Sequence, residues 1–232
     1  MQTFDIKKEN GHILLMIDGM HVLIDTGCPF SMAPKPLNFL GELYEFPNNI
    51  NEITPQKLSK LGGFQIDALF GCNILSKHTL RFRWRDGKLD IGDNVPHGLI
   101  KSEFLTLDKN SNFPIVFPVT IADVHTKAIL DTGAHLSYID PTLLQGLTPS
   151  GQREDFHIFV GRYTVNTCTV ATALDNVPID IEYGFGLPEP LQMFTSTAMR
   201  QTKSRAVLGT QLFEFFDCTI NWQQKLISWE RR

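Results

Sequence analysis

His21-Val22-Leu23-Ile24-Asp25-Thr26-Gly27 and Lys127-Ala128-Ile129-Leu130-Asp131-Thr132-Gly133 are one pattern written twice in the same chain. Each is an apolar run that ends in Asp-Thr-Gly, and each has a serine at the same offset beyond the glycine, Ser31 and Ser137. Short runs rich in valine, isoleucine and leucine read as strands, and the Asp-Thr-Gly that follows reads as a loop.

A second matched pair lies downstream. Ala68-Leu69-Phe70-Gly71-Cys72-Asn73-Ile74-Leu75 parallels Ala206-Val207-Leu208-Gly209-Thr210-Gln211-Leu212-Phe213. At the same distance beyond each glycine comes a tryptophan, Trp84 or Trp222, then a short polar turn and Lys-Leu. Both segments therefore read as β-hairpins. A repeat on this scale marks an internal duplication. The halves run over 1–95 and 111–232, with 96–110 as a linker that opens on Pro96-His97-Gly98. Strand is expected over 12–17, 22–24, 115–121, 156–160 and 164–171. Helix signals are short, over 73–77 and 211–216, with Asp140 placed to cap Pro141-Thr142-Leu143-Leu144. The expected fold class is mainly β, two-lobed, with few short helices.

The bulk numbers fit such a domain. The chain has 232 residues, 42% hydrophobic and 20% charged, with a net charge of −4. That is ordinary for a soluble globular protein and long enough to bury a core. Basic residues are scattered, and the Arg81-Phe82-Arg83-Trp84-Arg85 run alternates as a half-exposed strand does, so no nucleic-acid partner is expected. No apolar stretch approaches the roughly 20 residues of a membrane helix. The start, Met1-Gln2-Thr3-Phe4-Asp5-Ile6-Lys7-Lys8, has no signal-peptide core, which gives a cytoplasmic expectation. Cys28, Cys72, Cys168 and Cys218 form no CxxC, and the histidines form no HExxH. Neither a metal nor a cofactor is expected; the cysteines read as buried thiols.

By composition, Asp-Thr-Gly is expected roughly 0.05 times in a chain of this size, so two by chance is on the order of one in a thousand. Chemistry has a use for the pair. Water can be activated between two carboxyls that share one proton, because both cannot ionise cheaply at close range. The ionised one takes the water proton and the protonated one polarises a carbonyl. Gly27 and Gly133 let the loops take tight turns and offer amides to the carboxylates, while the Thr26 and Thr132 hydroxyls can cross to the opposite loop. Gly71 and Gly209 let a strand pass closely against the Asp loops.

At these residues the chain resembles the pepsin and retroviral-protease (retropepsin) superfamily of aspartic peptidases. Asp131-Thr132-Gly133-Ala134 through Ser137-Tyr138-Ile139 is similar to the retropepsin signature, and Val207-Leu208-Gly209 and Leu69-Phe70-Gly71 are similar to its hydrophobic-hydrophobic-Gly segments. The resemblance implies an acid-protease β-fold and an endopeptidase acting on peptide or protein substrates. It implies Asp25 and Asp131 as the catalytic pair, with Thr26, Gly27, Thr132 and Gly133 supporting it. With both motifs in one chain, a monomer is expected.

There are departures from that family. The position after the triplet often holds Ser, Thr or Ala; Ala134 fits and Cys28 does not. Neither offers a hydroxyl to an ionised aspartate, so activity is expected at mildly acidic to neutral pH. Cys28 reads as a packed thiol, with redox control of the pair as the alternative. Cys28, Ala134 and His135 are candidate substrate-binding residues, His135 equally a surface histidine. The first half shows no hairpin with a glycine-rich tip between Met32 and Phe64, Tyr44 being a weak candidate. The longer second half offers one, Phe156-His157-Ile158-Phe159-Val160 and Tyr163-Thr164-Val165-Asn166-Thr167-Cys168 around Gly161-Arg162. A single flap from the C-terminal half is expected, with an ordinary structural hairpin as the alternative. The competing function is a catalytically inactive peptide- or protein-binding module that keeps the fold and an open cleft.

Overall fold

The computed structural model describes residues 1–157 and 160–231. In the first half, β1 (Gln2–Glu9), β2 (His12–Ile17) and β3 (Met20–Ile24) form an antiparallel meander. A small hairpin, β4 (Leu37–Phe39) and β5 (Glu42–Tyr44), and helix α1 (Pro55–Gly62) precede β6 (Ala68–Phe70). Helix α2 (Cys72–Leu75) then leads into the hairpin of β7 (Leu80–Arg83) and β8 (Lys88–Ile91). After β9 (Ile100–Glu103), the second half repeats the plan with β10 (Ile115–Ile121), β11 (Val124–Leu130) and β12 (Ser137–Ile139). Three long strands follow, β13 (Gly151–His157), β14 (Gly161–Leu174) and β15 (Val177–Phe185), then helix α3 (Glu189–Thr202). The chain closes with β16 (Ala206–Leu208), a 3-10 turn over Thr210–Glu214, β17 (Phe216–Asn221) and β18 (Leu226–Arg231).

The duplication is legible strand by strand. β3 pairs in parallel with β6, Ile24 opposite Phe70, and β11 pairs in parallel with β16, Leu130 opposite Leu208. Asp25 N donates to Phe70 O and Asp131 N to Leu208 O, each at 3.0 Å. The strand that crosses the second side is β12 in one half, and in the other only a two-bond bridge between Met32 and Leu69.

The lobes meet in one sheet. β1 spans two layers, residues 2–5 pairing with β8 and residues 6–9 with β2. β7 pairs with β17, Phe82 opposite Cys218, so the two tryptophan hairpins lie edge to edge. Trp84, Trp222 and Trp229 are buried against Phe213, Phe104 and Phe117 in the shared core. Two smaller apolar clusters lie apart from that core, one around Leu58 and Leu69 that also takes in Phe156 of the second half, and one around Val165 and Val207.

The sequence reading needs amendment in three places. The segment 96–110 contains β9, which pairs along β18 and extends the shared sheet. Helix α1 occupies the region searched in vain for a first-half flap; Thr54 caps it, accepting from Lys57 N at 3.3 Å, and Gly63 ends it in the left-handed region. Helix α3 also went unread, although Leu191, Phe194, Ala198 and Met199 recur at helical spacing. Its many Ser and Thr residues are weak helix formers and obscure the signal. The 3-10 turn over Pro141–Leu144 is capped by Asp140 as expected, Asp140 Oδ1 accepting from Thr142 N at 2.9 Å. Among the described residues no helix is long and apolar enough to cross a membrane.

Candidate active site

Each Asp-Thr-Gly loop leaves the C-terminal end of a buried strand, and the two loops interlock. Thr26 N donates to Thr132 Oγ1 at 2.9 Å, and Thr132 N donates to Thr26 Oγ1 at 3.0 Å. The hydroxyl protons continue inward, Thr26 to Leu130 O at 3.2 Å and Thr132 to Ile24 O at 2.9 Å. Both threonines are fully buried. Four buried hydrogen bonds thus tie residues far apart in sequence into one pseudo-twofold unit.

Asp25 and Asp131 stand above this lock. Gly27 N donates to Asp25 Oδ1 at 2.8 Å and Gly133 N to Asp131 Oδ1 at 2.9 Å. Each carboxyl lies against the glycine of the opposite loop, which brings the two face to face. A methyl group on Gly27 would fall 2.0 Å from Asp131 Oδ1, and one on Gly133 would fall 2.4 Å from Asp25 Oδ1. Both glycines are therefore required by the approach of the opposite carboxyl, not only by loop geometry. Burial and the neighbouring Asp131 charge push Asp25 well above the usual carboxylate range. Burial also raises Asp131, while the Gly133 amide and protonated Asp25 act against it. Two carboxyls this close and this buried cannot both ionise cheaply, which favours a singly protonated pair.

The serines found by offset alone have a matching role. Ser31 Oγ accepts from Gly71 N at 2.9 Å and Ser137 Oγ from Gly209 N at 3.2 Å. A methyl group on Gly71 would lie 2.3 Å from Phe30 O, and one on Gly209 would lie 2.5 Å from His135 O. Only a bare backbone fits against the loop carbonyls there.

A cleft of about 380 Å³ opens at the two carboxyls. Its walls include Cys28, Phe30, Ile129, Ala134, Leu187 and Val207, so the dyad sits in mostly apolar surroundings. Asp25 is 4% exposed, whereas Asp131 is half-buried and more open to the cleft. Cys28 and Ala134 are thus placed at the carboxyls. The Cys28 thiol donates to Phe30 O at 3.2 Å, and burial and the Asp25 charge raise it far above the normal thiol range. A buried, protonated thiol is a poor redox sensor, which favours the packing reading.

His135 is placed elsewhere. Its Nδ1 lies 3.1 Å from Thr210 Oγ1, which donates to Gly11 O, and its ring presses on Gly11 so closely that a side chain there would overlap it. It is an interlobe packing residue and does not line the cleft. The β1–β2 turn of the other lobe, invisible from the residues around Gly133, claims that position.

The hairpin of β13 and β14 comes from the C-terminal half and lies over the site. Ile158 and Phe159, expected in its first strand, fall outside the described residues, and Gly161-Arg162, expected as its turn, begin β14 with Gly161 opposite His157. Phe156, His157 and Tyr163 line the cleft together with Asp25 and Asp131. Across the cleft the hairpin is tied to the N-terminal half. Phe156 enters the cluster of Leu58 and Leu69 and packs edge-on to His12, while Arg162 Nη2 donates to Gly62 O at 2.8 Å. A cation at the last carbonyls of a helix is favoured by the helix dipole. Near its turn, Tyr138 Oη donates to Asp155 Oδ2 at 2.5 Å and lies 2.6 Å from Tyr163 Oη. Helix α3 forms the other roof, with Leu191, Phe194 and Ala198 facing the cleft. Nothing around Gly161 in the sequence foretold the bridge to α1, because its partner is a backbone carbonyl. Among the described residues no cluster of three or more His, Cys, Asp or Glu side chains could hold a metal ion.

Among solved structures, the chain is similar to the crystal structure of an aspartic proteinase from Irpex lacteus. The match covers 99% of this chain and 97% of that one, with a TM-score of 0.54 and 8% identity. No protein-family model matches the sequence, and no curated protein matches it. At that identity the likeness is one of fold: the chain has the two-lobed aspartic-proteinase architecture, mainly β with three α-helices among the described residues.

Proposed function

We propose that this chain is an aspartic endopeptidase that hydrolyses peptide bonds with a water molecule held between Asp25 and Asp131. The observation that carries this reading is the pair itself, two carboxyls face to face over interlocked threonine loops at the floor of an apolar cleft. Asp131, ionised, takes a proton from the water as its oxygen attacks the peptide carbonyl carbon. Asp25, protonated, donates to the carbonyl oxygen, and a tetrahedral diol forms. As the diol collapses and the C–N bond breaks, one diol hydroxyl returns its proton to Asp25, the leaving nitrogen takes the proton held by Asp131, and one shared proton remains. The cycle uses only side chains of this chain.

The alternative of an inactive binding module drew its support from a cleft without a cover. The hairpin roof removes that support, and a buried pair of facing carboxyls burdens a protein that does not use it. Because both carboxyls are raised above the ordinary range, the singly protonated state extends through mildly acidic pH toward neutral. A peptide library digested from pH 3 to 8 and read by mass spectrometry tests the reading. Cleavage that a statine-type inhibitor blocks and that Asp25→Asn abolishes is expected. No cleavage at any pH, with no inhibitor binding, contradicts it.

A further inference from the structure

The hydrogen-bond chain near the hairpin turn has a direction. Asp155 is 7% exposed, and three donors converge on it: Tyr138 Oη at 2.5 Å, Phe156 N at 2.8 Å and Leu136 N at 3.3 Å. Three donors on two oxygens, two of them amides that can only donate, suit a carboxylate and oppose the burial that raises Asp155. Tyr138 has one hydroxyl proton and spends it on Asp155. The 2.6 Å contact between Tyr138 Oη and Tyr163 Oη can then run only one way, with Tyr163 donating. The Tyr163 proton is thereby turned toward Tyr138. Among the described residues its oxygen has no second hydrogen-bond partner. That oxygen belongs to a half-buried side chain lining the cleft with both aspartates.

We propose that Tyr163 Oη is a fixed acceptor for a main-chain N–H of the bound peptide, set by the Asp155–Tyr138 relay. The inference rests on the peptidase reading of the same cleft. An extended peptide presents its N–H groups at alternating sides, and the cleft walls beside the dyad are largely apolar. One polar acceptor in such a wall selects register: it determines which peptide bond is presented to Asp25 and Asp131. Tyr163 stands on β14, in the hairpin roof. Tyr163 is a binding and positioning residue and exchanges no proton with the substrate.

The test takes the peptide cleaved best by the wild-type protein. Analogues are made in which each amide near the scissile bond is replaced, one at a time, by an ester that lacks the N–H. In the wild type, one ester should lose about 3–10-fold in kcat/KM, mainly through KM, the ordinary worth of one neutral hydrogen bond. Tyr163→Phe should lose the same factor on the parent peptide and nothing further on that ester. Tyr138→Phe frees the Tyr163 proton to face the cleft, so the penalty for that ester should shrink there too. Circular dichroism checks that both variants keep the fold. The inference is overturned if Tyr163→Phe cleaves the parent as well as wild type does, or if the ester penalty persists in full in Tyr163→Phe. A wild type that cleaves no peptide would sink the peptidase reading first, before any variant is made, and this inference with it.

Discussion

Replacing Thr26 with valine keeps the shape of the side chain and removes one oxygen, so it tests the interlock without opening a cavity. That oxygen accepts from Thr132 N at 3.0 Å and donates to Leu130 O at 3.2 Å, with all three residues fully buried. Thr26→Val strands the Thr132 amide, which costs about 1–3 kcal/mol, and deprives Leu130 O of a bond worth about 0.5–1.5 kcal/mol. The expected loss is about 2–4 kcal/mol. For a chain of this size that lowers Tm by roughly 5–15 °C. Thr26→Ser keeps the hydroxyl and should fall within about 1 kcal/mol of wild type. The double variant Thr26→Val/Thr132→Val should lose less than the sum of the singles, because both remove parts of one network. Urea unfolding followed by circular dichroism reads wild type and the four variants, the Thr132→Val single included. A Thr26→Val protein within about 0.5 kcal/mol of wild type would refute the claim that crossing hydroxyls hold the two loops together.

Further outcomes follow from the same geometry. Asp25→Asn should stabilise the protein at neutral pH: a folded-state pKa raised by burial gives stability that is present below the ordinary carboxylate pKa and is lost as pH rises through the raised value. Thermal melts from pH 4 to 8 should therefore show a downward slope in wild type that flattens in the variant. Gly71→Ala, with its methyl 2.3 Å from Phe30 O, should cost about 3 kcal/mol or more in urea unfolding, since backbone must shift to make room. Arg162→Ala should change global stability by under about 1 kcal/mol. It should nevertheless speed hydrogen exchange of the 160–164 amides several-fold by releasing the hairpin from Gly62 O. Cys28 should resist alkylation in the folded protein at pH 8 and react promptly in urea, because its thiol is buried and held protonated.

What could be read from the sequence was whatever the duplication wrote twice. The two triplets and their serine offsets recur with matching spacing, the glycine partners recur at different distances but in matching segments, and each resolves into a matching contact. The strand over 115–121 was found because it is an apolar run with turn signals at both ends. Features made by one half meeting the other left no such trace. His135 follows the second loop as a cleft residue would, yet the Gly11 turn of the opposite lobe takes its ring. The anchoring of the hairpin on α1 depends on the Gly62 carbonyl, a group every residue has. Strand β9 hid inside the expected linker because its alternating Ile100-Lys101-Ser102-Glu103 is short and has one apolar residue, so its pairing with β18 decides its state more than its own preference does.

The central claim concerns a single proton shared by Asp25 and Asp131. Titration of the protein labelled with carboxyl-¹³C aspartate, followed by NMR, counts that proton directly. The account predicts that the pair still binds one proton at pH values where the exposed aspartates are fully ionised, and that this resonance pair is altered in Asp25→Asn. Two carboxyls that both ionise near the ordinary value, each indifferent to loss of the other, would contradict it.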